Sequence, residues 1–399
     1  MTFICCLSLV FRRPAAFSVS LLMPSQPVTF LLFAAALPVA MAAPTPEPSA
    51  YDALWNKAVL LKGTSADTFQ ELRFIGREQF DYYAFRNGEQ TDSGWANRRS
   101  RIGLKGQFLQ DWYFSTEFDF NLGAPDPLFN KVTDANVKWS PGPEAAWTVG
   151  RQGVRFTLDG STSSLVLPTI DRSAISNNIG MIEESIPGIS FEGDRGKWFY
   201  RAGVFTAGSA DPYFGKFDAG TIGFVSTGWH FDEQWGLEKA FVRFDCLTQS
   251  DSAKNSTGSP QPFSRNHQHA LSLSGQFTQG PWTFNVDLAA SEGRGSQSDL
   301  KGVELEPIYD FSPEWQGVLR YTYLESKLAN GIYPIRYESW VTPGHGDRYQ
   351  EFYLGLNRYF YGHKLKWMFA VEHALMHDAA ADGGSYAGWG FTTGFRVSW

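Results

Sequence analysis

Residues 112–121, WYFSTEFDFN, alternate strictly between two kinds of side chain, and this pattern constrains the fold more than any other feature. One parity carries four aromatic residues and a threonine; the other carries tyrosine, serine, two carboxylates and asparagine. Successive side chains of a β-strand point to opposite faces, so the segment predicts a strand with one apolar and one polar face. Similar alternation recurs in about sixteen segments between residues 69 and 399.

The lengths of these segments and of their connections point to a membrane. Most segments have about the 9–11 residues that a tilted strand needs to cross a bilayer. The connections alternate between short turns, such as 109–111 and 312–314, and long loops, such as 86–97, 157–186 and 326–348. Short turns on one rim and long loops on the other are typical of outer-membrane barrels, and a soluble sandwich has no reason to keep that rhythm.

The predicted fold class is therefore all-β, a transmembrane antiparallel β-barrel of about sixteen strands over residues 69–399, with short periplasmic turns and long extracellular loops. The apolar parity faces lipid and the polar parity faces a wet lumen. Closure of the sheet leaves no unpaired backbone edge in hydrocarbon. A soluble alternative needs one core shared by all the segments, and few wholly apolar segments are available to build it.

The N-terminus predicts export. Residues 28–43, VTFLLFAAALPVAMAA, form an apolar stretch that ends in an A-x-A-like cleavage site at 40–42, and an arginine pair at 12–13 supplies the positive region before it. Residues 1–42 are therefore predicted to be a secretory signal peptide. Met23 is an alternative start, although the shorter signal lacks basic residues. A membrane anchor is the other alternative, and a proline interrupts the short apolar stretch.

Cleavage changes the charge of the chain. Two of the 34 basic residues lie in the signal, so 32 remain against 41 acidic residues. A mildly acidic exported chain argues against nucleic acid as a partner. Residues 43–68 are predicted to be a periplasmic N-terminal segment, in which 51–61 have the spacing of a short amphipathic helix. The predicted location is the outer membrane of a Gram-negative-type bacterium.

Four stretches resemble the phosphate-selective porin O/P family. The stretch RRSRIGLKGQFLQDWYFSTEFDF (98–120) is similar to its first hairpin, an Arg-rich strand followed by a turn and an aromatic–acidic strand. Residues 148–173, 200–208 and 353–373 resemble further segments, so the likeness extends over about 70–399. The resemblance implies a sixteen-stranded general or anion-preferring porin, often a trimer. In the family, the loop that corresponds to 157–186 narrows the channel.

The last segment, GWGFTTGFRVSW, alternates up to a terminal aromatic, Trp399. This ending looks like the signal that barrel-assembly machinery recognises, and an ordinary closing strand is the alternative. The other expected partners are outer-membrane lipid, small anions or other hydrophilic solutes, and two further copies of the chain in a homotrimer.

Charged residues of inward parity are predicted to line the pore. They are Arg73, Arg77, Arg99, Arg101, Lys105, Glu117, Asp119, Arg201, Arg243, Arg320, Lys364 and Lys366. Over all the strand charges that parity assigns inward, fourteen basic groups stand against eleven acidic ones, and this small surplus predicts a weak anion preference. The column Arg99, Arg101 and Lys105 is the densest basic group, and a solvated wall without discrimination is the alternative.

The connection 157–186 is predicted to constrict the pore through Asp171 and Arg172, because a sixteen-stranded lumen is otherwise wide. The alternative is an extracellular flap. No cofactor, metal or catalytic residue is predicted. His373 and His377 lie ~13 Å apart on a strand, and no serine has a spacing that pairs it with a histidine. We therefore predict a channel for passive diffusion, with an outer-membrane enzyme (lipase-like) or adhesin as the alternative.

Overall fold

The computed structural model describes residues 50–123, 126–180, 185–206, 220–250 and 265–399, so the predicted signal peptide lies outside the described residues. The chain divides into two units, Met1–Asn56 and Lys57–Trp399. The described part of the first unit holds helix α1 (Ala50–Trp55), which a 3₁₀ turn follows at Asn56–Ala58. No helix in the described part of the chain is both long enough and apolar enough to cross a bilayer.

The rest of the described chain is mostly β-structure. The strands are β1 (Val59–Lys62), β2 (Phe69–Asn87), β3 (Gln90–Phe108), β4 (Trp112–Phe120), β5 (Phe129–Gly142), β6 (Ala145–Gly153), β7 (Ser185–Arg195), β8 (Trp198–Thr206), β9 (Thr221–His230), β10 (Lys239–Gln249), β11 (His267–Gln279), β12 (Trp282–Gly293), β13 (Leu300–Ser312), β14 (Trp315–Ser326), β15 (Arg348–Tyr359), β16 (Leu365–His377) and β17 (Tyr386–Ser398). Two single-turn helices lie between strands, α2 (Leu158–Ser161) and α3 (Asp232–Trp235).

Strands β2 to β17 form a closed antiparallel barrel of sixteen strands, which confirms the predicted fold class. Each strand pairs with its neighbour in the chain, and β17 returns to pair with β2, from Gly388 opposite Asn87 to Ser398 opposite Arg77. The backbones of Trp399 and Gly76 also exchange two hydrogen bonds of 3.1 and 3.2 Å. A Cβ on residue 76 would overlap the Trp399 ring, so the closing contact requires glycine there.

The predicted helix over 51–61 is too long. The helical part ends before Val59, because Val59–Lys62 form β1 and pair antiparallel with residues 71–73 of β2. The β17 ladder begins only at Arg77, so the first residues of β2 present free backbone groups on that edge. Pairing with β1 satisfies them.

The long loop predicted at 86–97 is also wrong. Asn87 pairs with Gln90 across a two-residue turn, and β3 already runs through the predicted loop. Gly88 has a φ of 61°, which a two-residue hairpin turn favours and which glycine adopts without strain. Glycine at the first of two turn residues is a signal for such a hairpin, and the polar residues around Gly88 obscure it.

The other connections divide into two rims. The turn rim holds 109–111, 143–144, 196–197, 231–238, 280–281, 313–314 and 360–364. The described residues of the loop-rim connections are 88–89, 121–123, 126–128, 154–180, 220, 250, 265–266, 294–299, 327–347 and 378–385. The two longest loop-rim connections of which most residues are described are 154–184 and 327–347.

The two faces of the wall differ as the alternation predicts. On β4, Phe118 is 38% exposed on the outside, whereas Glu117 and Asp119 are buried on the inside. Tryptophans gather at the turn rim, where the rings of Trp112 and Trp139 stack 6.1 Å apart. An apolar outer surface with an aromatic border suits contact with lipid.

Candidate functional site in the barrel lumen

The described part of the connection 154–184, called the first inner loop here, lies inside the barrel. At its start, α2 reaches β12, where the backbone N–H groups of Leu158 and Asp159 donate to the Asp287 carboxylate at 3.0–3.1 Å. Arg243 on β10 donates to the Ser161 hydroxyl at 3.0 Å. Inward-facing polar side chains of the wall therefore hold the beginning of the loop.

Further along, the first inner loop is tied to the opposite part of the wall. Arg77 on β2 donates to the Ser164 hydroxyl at 2.8 Å. The later carbonyl groups also have wall donors, one from each of three neighbouring strands. These bonds are Lys366 Nζ to the Leu167 carbonyl at 2.8 Å, Asn357 Nδ2 to that of Pro168 at 2.7 Å, and Arg320 to that of Asp171 at 2.8 Å.

Asp171 joins three separate parts of the lumen. Its carboxylate lies 3.0 Å from Arg98 on β3 and 3.4 Å from Arg336, which belongs to the connection 327–347. Burial raises the pKa of the Asp171 carboxyl, but the guanidinium groups of Arg98 and Arg336 outweigh burial and hold the pKa below its usual range. Asp171 is therefore an anion that bridges the wall and two loops.

The connection 327–347, called the second inner loop, also folds inward. The Tyr337 ring stacks on Tyr83 of β2 at 4.5 Å, and its hydroxyl donates to Asp81 at 2.7 Å. Glu338 accepts a hydrogen bond from the Tyr349 hydroxyl at 2.7 Å and another from the backbone of Ile335 at 3.0 Å. Burial raises the pKa of Glu338 to about 8.

The two inner loops share one apolar core with the loop-rim ends of the strands. The loops contribute Val154, Phe156, Ala174, Ile175, Ile179, Ile332, Ile335, Tyr337 and Val341. The wall contributes residues such as Phe85, Phe205, Ile222, Phe224, Leu247, Leu324 and Tyr349. A cavity lined by both inner loops and the wall has only about 20 Å³, so the loops pack closely there.

Larger cavities lie nearer the turn rim. Three of them, of about 400, 350 and 200 Å³, share the lining residue Arg155, and we call them together the basic chamber. Their described basic lining residues are Arg77, Arg101, Lys105, Lys138, Arg155, Arg172, Arg201 and Arg243. The described carboxylates are Glu117, Asp134, Glu192 and Asp194. Basic groups outnumber acidic groups along this part of the wall, from β2 to β10.

A fourth cavity, the acidic chamber, has about 430 Å³ and lies along β10 to β14, on the other side of α2. Its described carboxylates are Asp159, Asp287, Glu304 and Glu306, and its described basic or imidazole groups are Lys239 and His363. The lumen therefore presents walls of opposite charge, with the first inner loop contributing side chains to both chambers.

Most of the predicted pore-lining residues lie on the inner face, where many form ion pairs. Arg101 is within 3.4 Å of both Glu117 and Asp119, and Arg77 lies 2.7 Å from Glu117. Arg201, Arg243 and Arg320 pair with Glu192, Asp245 and Glu351, respectively. Lys366 and Arg99 are buried, and Arg99 donates to Gln79 at 2.9 Å. Arg172 binds backbone carbonyls within its own loop.

One of the predicted residues lies elsewhere. Lys364 belongs to the turn 360–364 and is exposed, with its ammonium group 5.4 Å from the Tyr361 ring, so its assignment to a strand is wrong. Arg73 keeps the inward parity, directly opposite Lys105, but it is exposed near the turn-rim end of β2 and pairs with Glu71. Neither residue lines a described cavity. The strict period of two fails where a strand ends.

Three basic residues of the lumen are not predicted by parity. Arg98 has the parity of the lipid-facing residues, but the register shifts between Gln79 and Phe80, and this irregularity turns Arg98 inward. Arg155 and Arg336 belong to the inner loops, where alternation gives no information. Among the described residues, no group of three or more His, Cys, Asp or Glu side chains could hold a metal ion.

Several solved outer-membrane proteins have the same fold at low sequence identity. The anion-selective porin from Comamonas acidovorans is 13% identical over 82% of this chain and 99% of its own, with a TM-score of 0.57. The outer-membrane channel DcaP of Acinetobacter baumannii is 13% identical over 85% and 100%, with a TM-score of 0.55. OmpT of Vibrio cholerae, in a trimer form, is 12% identical over 84% and 100%, with a TM-score of 0.54. No curated protein matches the sequence.

The closed barrel and these similarities define the class of fold: the chain has the sixteen-stranded β-barrel of the solved porins, and its apolar outer surface suits contact with lipid. Residues 75–228 match the family described as Phosphate-selective porin O and P, which confirms the predicted family resemblance over that part of the chain.

Proposed function

We propose that the protein is an outer-membrane porin, a water-filled channel for the passive diffusion of small hydrophilic solutes and ions, with a weak preference for anions. The family match and the porin fold support a channel rather than an enzyme. The similarity to an anion-selective porin agrees with the proposed preference. The observation that carries the proposal is the basic chamber, where a series of cavities follows the wall from β2 to β10.

The basic chamber favours anions for a simple electrostatic reason. Several of its arginines are neutralised locally, since Glu117 pairs with both Arg77 and Arg101. Lys105 and Arg155 are exposed to the cavities, and they add positive charge where a solute passes. Charges that line a narrow aqueous path set ion selectivity. Paired carboxylates reduce this field, so the preference is weak and no dedicated phosphate site is required.

Further parts of the proposal concern processing and assembly. Residues 1–42 are cleaved on export, and residues 43–68 are the periplasmic N-terminal segment. The loop residues Asp171 and Arg172 help to constrict the channel. The chain assembles as a homotrimer, which the trimer form of OmpT supports by analogy. Lipid contacts the outer face, and the C-terminal strand ending at Trp399 is recognised by the barrel-assembly machinery.

The test is the reversal potential of single channels in planar bilayers across a KCl gradient of about tenfold. We expect weak anion selectivity in the wild type and a clear shift towards cations in Lys105→Glu/Arg155→Glu. The matched control is Lys327→Glu/Lys364→Glu, which makes the same change of charge at exposed residues that line no described cavity. We expect little shift in the control.

Strong cation selectivity in the wild type contradicts the proposed preference. An equal shift in the two double variants contradicts the role of the basic chamber. Folded protein without any conductance contradicts the proposed channel function and favours an enzyme or an adhesin.

A further inference from the structure

The acidic chamber has more carboxylates than basic groups, since its described basic or imidazole groups are Lys239 and His363 alone. Asp159, Asp287, Glu304 and Glu306 all line this cavity of about 430 Å³. Arg320 is the nearby cation of β14, and two of its nitrogens already bind Glu351 at 2.7 Å and the Asp171 carbonyl at 2.8 Å. Buried carboxylates without a matching cation are costly.

Three of the four carboxylates have hydrogen-bond donors in the protein. Asp287 accepts from the backbone of α2, and Ser272 lies 3.3 Å away as a further donor. Asp159 accepts from the Ser173 backbone at 3.2 Å, and Glu306 accepts from Asn285 at 2.9 Å. The exception is Glu304.

Glu304 is only 3% exposed, and its Oε2 atom has no hydrogen-bond partner among the described residues. Its side chain lines the chamber two residues before Glu306, on the same face of β13. A carboxylate that lines a cavity beside a second carboxylate, and whose buried oxygen lacks a donor among the described residues, favours a ligand that brings a donor.

The rest of the lining indicates the kind of donor. Leu158, Val166, Leu167, Phe241 and Ile308 provide an apolar surface beside the carboxylates. A divalent metal ion needs several oxygen ligands converging on one point, and no such group of acidic side chains occurs among the described residues. An ammonium group on an apolar body satisfies both the carboxylates and the apolar surface.

We propose that the acidic chamber is a binding site for small organic cations, in which an ammonium group lies between Glu304 and Glu306 and its apolar body contacts Leu158 and Phe241. Several lining residues lie at or beside turn-rim connections: Thr283, Gln316 and His363. The ligand therefore enters from the turn rim. This site is separate from the basic chamber and gives the protein a second, cationic class of ligand.

The experiment measures binding of phenethylamine to the mature protein in detergent by isothermal titration calorimetry, so it does not depend on conductance. Phenethyl alcohol has the same apolar body without the charge, and MgCl₂ tests a metal ion. We expect saturable binding of the amine, no binding of the alcohol, and no competition by Mg²⁺ at equal concentration and constant ionic strength. Saturable binding of the alcohol, or equal competition by Mg²⁺, overturns the proposal.

Variants locate the site. We expect Glu304→Gln to weaken amine binding at least about tenfold, because it removes the charge that faces the ammonium group. Glu306→Gln is the second variant, which serves if Glu304→Gln does not form a heat-modifiable barrel. Glu233→Gln is the matched control, since its side chain is 81% exposed outside the chamber. Unchanged affinity in a folded Glu304→Gln or Glu306→Gln variant, or no saturable binding by the wild type, overturns the proposal.

Discussion

The two halves of the lumen are built on different physical principles. Towards the loop rim, Ile175 and Ile179 of the first inner loop pack with Ile335 and Tyr337 of the second in a buried apolar core. Towards the turn rim, charged side chains surround cavities of 200–430 Å³. The barrel thus has a dry half, in which loops pack as in a soluble protein, and a wet half, in which charges face open space.

This difference separates two roles: the dry half fixes the inner loops, and the wet half sets the ion selectivity. Apolar contacts are not screened by dissolved ions, so the dry half keeps the inner loops in place when salt is added. Exposed charges in the wet half are screened over about 8 Å in physiological salt, so only groups beside the solute path act on it. Polar anchors such as Arg243 to Ser161 and Lys366 to Leu167 link the halves.

The largest expected effect comes from removing the element that extends through both halves. We expect replacement of residues 163–180 by a short Gly-Ser linker to raise single-channel conductance at least about twofold, because the excised segment lines the basic and acidic chambers and supplies part of the apolar core. The measurement is single-channel current in planar bilayers. Deletion of the exposed residues 379–380 is the control, and their loss should leave conductance unchanged.

Unchanged conductance after the 163–180 replacement, in a barrel with normal heat-modifiable mobility, contradicts the proposed constriction. It also removes the reason for treating the first inner loop as the boundary between the two chambers.

A smaller effect comes from a charge placed in the dry half. Ile179 is 2% exposed, so Ile179→Asp buries a carboxylate among apolar groups, and we expect the loop packing to lose about 2–4 kcal/mol. Hydrogen exchange in 154–180 and 327–347 should then accelerate together, while the strands remain protected. Val166→Asp is the matched control in the same loop, since Val166 is 44% exposed. Equal acceleration in both variants contradicts the shared apolar core.

The barrel wall is predictable from the sequence wherever the strands are regular. Period-two alternation depends only on the geometry of a strand, and residue type alone places Phe118 outside and Glu117 inside, as the structure does. Alternation fails at Arg98, since a register irregularity reverses parity and leaves no trace in composition. It also fails at Lys364, because strand ends cannot be read to the residue.

The two inner loops that pack in the dry half are predictable from the sequence only in part. The length of the first inner loop and the family resemblance both predict a loop inside the barrel. The alternation pattern does not predict that the second inner loop, 327–347, folds inward. Ile332, Ile335 and Tyr337 are nevertheless large apolar residues in a segment predicted to be an extracellular loop. Their burial needs partners from distant strands, and one sequence does not show which strands face each other across a lumen. Large apolar residues in a predicted loop are the sequence signal that indicates such burial.

The most local expected effect is a pH dependence confined to the second inner loop. Glu338 is 1% exposed, and burial raises its pKa to about 8, although Tyr349 and Ile335 donate hydrogen bonds to it. Three further charged groups lie near Glu338: Glu351, whose negative charge also raises the pKa, Arg320, which lowers it, and Glu372. A released loop exposes Glu338 to water, where its pKa returns to about 4.5. Between pH about 4.5 and about 8, Glu338 is therefore protonated in the packed loop and ionised in the released loop.

The direction of the pH dependence follows from the difference between these two pKa values of Glu338. As pH rises from about 4.5 to about 8, the released form is favoured, and the packed second inner loop loses stability by at most about 1.4 kcal/mol per pH unit. Above about 8 the loss levels off. We expect hydrogen exchange in 327–347, corrected for the intrinsic rate, to accelerate over this range in the wild type and to stay flat in Glu338→Gln. Glu314→Gln, at an exposed turn-rim carboxylate, should behave as the wild type. If hydrogen exchange in 327–347 still accelerates with pH in Glu338→Gln, another group titrates. The dry half is then less isolated from water than its packing indicates.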